Sequence, residues 1–159
     1  MRNKLLFIAR HGAQSEGMLT DDGRRQMALL DGQVRKRILM LRRDQPDTSA
    51  IILTSKMPHA RQSAFAIARG ADIVMMDCLE ADMNVSDTQL VEAREHIEFY
   101  RKHYAVVVVI THMVITHKLP RYLAEKCYRV PHELPNQPLN HGRAILFDAN
   151  RNTCELVTE

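Results

Sequence analysis

The chain has no tryptophan, and aromatic residues make up only 5% of it. A surface built to stack nucleic-acid bases is therefore not expected, and the core should be aliphatic. Cysteine is scarce too. Cys78, Cys127 and Cys154 stand far apart and form no C-x-x-C pair. That spacing argues against a disulfide framework or a thiolate zinc site and suits a reducing compartment. Long apolar runs are missing. The longest, Ala105–Ile110, falls far short of the ~20 residues a bilayer span requires. The opening MRNKLLFIARHG has too brief an apolar stretch for a signal peptide, so a cytoplasmic protein with no membrane contact is expected. Charge of one sign is not in large excess either. The net charge of +3 is too small to make nucleic acid a partner. Linkers, repeats and low-complexity tracts are absent from the sequence.

What remains is an ordinary globular balance of 45% hydrophobic and 26% charged residues over 159 positions, the size of one domain spanning residues 1–159. Short apolar runs alternate with helical patterns. Leu5–Ala9, Ala50–Leu53, Ile73–Met76 and Ala105–Ile110 read as buried strands. Ala144–Phe147 and Glu155–Val157 read as closing strands around a turn at Asp148–Asn152. Helices are expected from about Asp22 to Arg43, from Pro58 to Arg69, after Ser86 and from Val114 to Lys126. In the first, Met27, Leu30, Val34, Ile38 and Leu41 recur at helical spacing. Pro58 suits a first turn, and Ser86-x-x-Gln89 has the form of a capping box. The alternation predicts an α/β fold, a three-layer sandwich around a mostly parallel central sheet. Ligands of such sheets sit beyond the carboxyl ends of the strands, so the loops after Ala9, Leu53, Met76 and Ile110 should line one site.

Those loops carry chemistry. The first strand ends in Arg10-His11-Gly12 and the second in Thr54-Ser55, with His59 and Arg61 close behind. Glu80 and Asp82 follow the third, and Thr111-His112 ends the fourth. Histidines with arginine and a carboxylate suit phosphoryl transfer. An arginine offers a planar fork for phosphate oxygens. One imidazole can attack phosphorus and carry the group, and another can stabilise its charge. A carboxylic acid can protonate the leaving oxygen. Gly12 would let the backbone approach an anion. No metal site is expected: His112 and His117, five apart, do not share a helix face. His96 and His103 read as surface residues of a helix.

In these segments the sequence resembles the histidine phosphatase superfamily, whose fold is called phosphoglycerate-mutase-like. LLFIARHG is similar to its opening strand and RHG motif, and LTDDGRRQM to the helix start that follows. LTSKMPHARQSA, VVVVITHMVI and NHGRAILFD resemble, in order, its arginine-bearing segment, the strand of its second histidine and its penultimate strand. The resemblance implies that His11 is a nucleophile that becomes phosphohistidine, that Arg10 and His112 clamp the phosphoryl oxygens, and that Glu80 is the proton donor. It implies no cofactor and no metal. At the position of the family's second arginine stands His59, with Arg61 two residues on, and either could fill that part of the clamp. The lack of an asparagine after RHG, and Met113 in place of glycine, are similar to the short phosphohistidine phosphatases.

The expected activity is metal-independent hydrolysis of a phosphorylated small molecule or phosphoprotein. Little room for a covering insertion between Glu80 and His112 favours a phosphatase over a mutase. The alternative, which His59 favours, is a member that binds phosphate or a phosphorylated partner with little turnover. A basic stripe on the first long helix, with Arg24, Arg35 and Arg42, is read as a solvated face.

Overall fold

An apolar run can be continuous only where a strand is covered on both faces, and the computed structural model, which describes residues 4–81 and 83–157, shows that covering. Six strands form one sheet: β1 (Leu5–Arg10), β4 (Ala50–Thr54), β5 (Asp72–Met75), β6 (Val106–Thr111), β7 (Ala144–Asp148) and β8 (Thr153–Leu156). Their order is β5-β4-β6-β1-β7-β8. The pairs among β5, β4, β6 and β1 are parallel, and β7 and β8 run antiparallel.

Alternate side chains of each strand enter different cores. Leu6, Ile8, Val107 and Val109 pack beneath α3 (Asp87–His103) and α4 (Met113–Tyr122). Leu5, Phe7, Val106 and Val108 pack beneath α1 (Asp21–Asp44) and α2 (Pro58–Ala68). The result is the three-layer sandwich with a mostly parallel sheet that the sequence led us to expect. Met27, Leu30, Val34 and Leu41 of α1 are buried, while Ile38 is half-buried.

Three local features differ from the sequence reading. A two-residue-per-strand hairpin, β2 (Gln14–Ser15) and β3 (Met18–Leu19), follows the RHG segment. It turns on Glu16 and Gly17, both with positive φ, a conformation two-residue hairpins use to match strand twist. The helix expected through Lys126 ends as α-helix at Tyr122 and continues as a π turn over Leu123–Tyr128. Pro120, inside α4, has no N–H for the i→i−4 ladder, so the turn that follows is disturbed. The capping box is half formed. Ser86 accepts from the Gln89 N–H, but the Gln89 side chain reaches elsewhere. Among the described residues, no helix is long and apolar enough to cross a membrane.

The basic stripe on α1 is partly neutralised on its own helix, with Arg24 paired to Asp21, Arg25 to Asp22 and Arg35 to Asp31.

Candidate active site

Register brings the site together. Arg10 of β1 pairs with Thr111 of β6, so the next residue of each strand, His11 and His112, leaves the sheet side by side. Their ring centroids lie 5.2 Å apart. His59 enters from the first turn of α2, 4.3 Å from the His11 ring and 5.1 Å from that of His112. Arg10, Glu80 and the three imidazoles line one open cavity of about 370 Å³ at the carboxyl ends of β1, β4 and β6. All three histidines are buried.

Hydrogen bonds fix the rings. His11 Nδ1 lies 2.8 Å from the Gly12 carbonyl, which can only accept, so Nδ1 carries the proton and Nε2 keeps its lone pair. His112 Nε2 lies 2.8 Å from Ser55 Oγ. Burial pushes the His11 pKa down to about 3, with the neighbouring histidines adding to the effect. Burial also lowers His59 below its ordinary value. His11 is therefore a neutral imidazole at neutral pH, the form that can attack an electrophile.

Arg10 donates from Nη1 to the Leu139 carbonyl at 2.8 Å, while its buried Nε has no protein partner. Desolvation lowers its pKa below the ordinary arginine value, but a guanidinium stays charged at any working pH.

Glu80 ends a single 3₁₀ turn, Asp77–Leu79, that two neighbours hold in place. Thr111 Oγ1 donates to the Leu79 carbonyl at 2.6 Å. The Gln89 side-chain amide donates to the carbonyls of Cys78 and Glu80. The carboxylate loop is thus tied to the strand that carries His112. Asp82, Glu80's rival in the sequence, lies outside the described residues.

Two residues of the sequence reading have other surroundings than expected. Arg61 is exposed and does not line the cavity. Two residues along a helix is a rotation of roughly 200°, so when His59 faces inward Arg61 faces out. Gly12 already donates its N–H to Ser63 Oγ at 3.0 Å. Its missing side chain serves packing instead: a Cβ there would lie 2.5 Å from the Gly23 carbonyl oxygen of α1.

His141 is the residue that sequence reasoning missed. Its ring lies 5.3 Å from that of His11, it lines the same cavity, and burial lowers its pKa. The signal was the antiparallel closing strand. β7 begins beside Ala9, where β1 ends, so the residues just before β7 reach the site. As to metals, the ring nitrogens of His11, His59 and His112 all lie within 4.8 Å of one another.

No protein-family model matches the sequence, and no curated protein matches it. Solved structures do. A protein histidine phosphatase SixA complexed with tungstate is 20% identical over 97% of this chain and 94% of that one, with a TM-score of 0.61. Phosphoglycerate mutase from Plasmodium falciparum is 16% identical over 100% of this chain and 91% of that one, with a TM-score of 0.59. Phosphoserine phosphatase from Entamoeba histolytica is 13% identical over 98% of this chain and 95% of that one, with a TM-score of 0.58. At such identities the likeness is one of fold, and the chain has the phosphoglycerate-mutase-like fold of the histidine phosphatases.

Proposed function

We propose that this protein is a phosphatase of the histidine type that hydrolyses a phosphorylated small molecule or phosphoprotein through a phosphohistidine on His11. The observation that carries the reading is His11 itself. It is a neutral imidazole whose Nδ1 is tied to a backbone carbonyl and whose Nε2 is left basic, in a cavity shared with Arg10, His112 and Glu80.

In the first step the Nε2 lone pair forms a bond to phosphorus as the bond to the leaving oxygen breaks. That oxygen takes a proton from Glu80. Arg10, with an unpartnered buried Nε, and His112 hold the non-bridging oxygens. Water then attacks the phosphohistidine as Glu80 takes up its proton and so regains the one it gave, Nε2 recovers its lone pair, and inorganic phosphate leaves. The open cavity favours transfer to water over a mutase's return of the group to substrate. The oxyanion in a similar fold, tungstate, supports a tetrahedral anion as the ligand class.

One observation favours weak turnover, a phosphate-binding role. His59, where the family resemblance leads one to expect a fixed positive charge, is held neutral by burial. Hydrolysis of p-nitrophenyl phosphate in the presence of EDTA separates the two. The phosphatase reading expects turnover that His11→Ala abolishes. Wild-type protein that binds phosphate without turnover would establish the binding role.

A further inference from the structure

His11, His59 and His112 also have the makings of a metal site. Each of the three offers a ring nitrogen, and these nitrogens lie within 4.8 Å of one another. Tetrahedral zinc, bound at ~2.0–2.1 Å, sets its ligand nitrogens roughly 3.3 Å apart. His59 Nε2 and His112 Nδ1 already stand at 3.4 Å. No other edge needs to close by more than about 1.5 Å to reach that spacing.

The outer hydrogen bonds of two of the three rings suit ligation, while the Nδ1 of His59 is buried with no protein partner. A metal-bound imidazole donates its other N–H to a carbonyl, a carboxylate or water, which fixes tautomer and ring plane. His11 donates Nδ1–H to the Gly12 carbonyl, leaving Nε2 for an ion. Ser55 Oγ, which accepts from the Met57 N–H, can also accept from His112 Nε2–H, leaving Nδ1 for the ion. The cavity leaves room for a fourth ligand, and the Glu80 carboxylate stands on its wall. An arginine in place of His59 would remove a ligand and add a repelling charge.

We propose that His11, His59 and His112 form a three-imidazole site for a divalent late first-row transition-metal ion of the zinc type. The ion takes the same Nε2 lone pair of His11 that would attack phosphorus. Metal binding and covalent catalysis therefore exclude one another, and the metal acts as an inhibitor.

The test uses the full chain, freed of metal, and Co²⁺ as the probe. Wild type should bind one Co²⁺ per chain at this site, with the intense visible absorption of a four-coordinate ion, and Zn²⁺ should abolish the band. His59→Arg and His59→Ala should lose it. His96→Ala, which disrupts the only other three-residue cluster of this kind among the described residues, Cys78–Glu92–His96, should keep it. X-ray absorption of the wild-type Zn²⁺ complex needs no variant and should show imidazole nitrogen at ~2.0–2.1 Å without sulfur. The proposal is overturned by absence of the band in wild type, by its survival in both folded His59 variants, by its loss in His96→Ala, or by sulfur bound to zinc. These readouts are spectroscopic, so they stand whether or not the protein proves to be a phosphatase.

Discussion

In the proposed phosphatase, affinity for an anion turns on His59. Burial holds its imidazole neutral at pH 7, and a neutral ring can donate only one hydrogen bond. Protonation adds a second donor and a full charge, and a bound anion favours it. Affinity for vanadate, a phosphate analogue, should rise as pH falls through and below ~6.5, the ordinary histidine pKa. His59→Arg, charged throughout, should flatten that rise and increase kcat/KM by about 10-fold through one recovered charge-assisted hydrogen bond. An unaltered pH profile in this variant would show that His59 takes no part. Arg61, exposed on the far side of α2, was a rival for this position that sequence alone could not dismiss. Motif spacing places a residue on a segment, whereas only the rotation of the helix says which way it faces.

The start of α1 and the RHG segment meet glycine to glycine. A Cβ on Gly23 would lie 2.1 Å from the Ala13 carbonyl oxygen, and one on Gly12 would lie 2.5 Å from the Gly23 carbonyl oxygen. Both clashes are with backbone, which cannot swing aside. In a helix, alanine is preferred to glycine by ~1 kcal/mol. Here overpacking, typically ~1–3 kcal/mol and sometimes more, should win. Gly23→Ala should therefore lower Tm and slow turnover, because the shift is transmitted to His11. A raised Tm would mean that the contact is slack.

Most elements were legible before the fold was seen, because the apolar runs are continuous, α1 repeats its apolar residues at helical spacing, and Pro58 and Ser86 mark where α2 and α3 begin. The β2–β3 hairpin was not, since two residues per strand show no alternation and Glu16 is not a usual positive-φ residue. The π turn after α4 was not, because Pro120 announces a disturbance without saying how it resolves. His141 was hidden because its place depends on the pairing of β7 with β1, a contact remote in sequence.

Over the whole molecule, the buried histidines should make stability depend on pH. The folded-state pKa of His11 is about 3, below its ordinary 6.5. His59 and His141 are lowered as well. For such groups the unfolded chain binds more protons between the folded and unfolded pKa values. Stability is then fully present above ~6.5 and falls as pH drops through this window. His11 alone should contribute a limiting slope of about 1.4 kcal/mol per pH unit below its unfolded pKa. Denaturant unfolding of wild type and His11→Gln between pH 7 and 5 should give a shallower loss in the variant. Parallel losses would mean that His11 takes up protons in the folded state. The same cluster, set on a sheet whose register brings β1 and β6 together, explains how a chain at most 20% identical to the structures compared above can hold its histidines in one cavity.

The covalent role proposed for His11 is tested most directly by rapid quenching of wild-type protein mixed with a ³²P-labelled phosphoester, followed by mapping of the label. A phosphoenzyme that is labile in acid, stable in base and located on His11, and that is absent from His11→Ala, is the expected result. A wild-type enzyme that turns over with no trapped label, or a label that persists in His11→Ala, would contradict it.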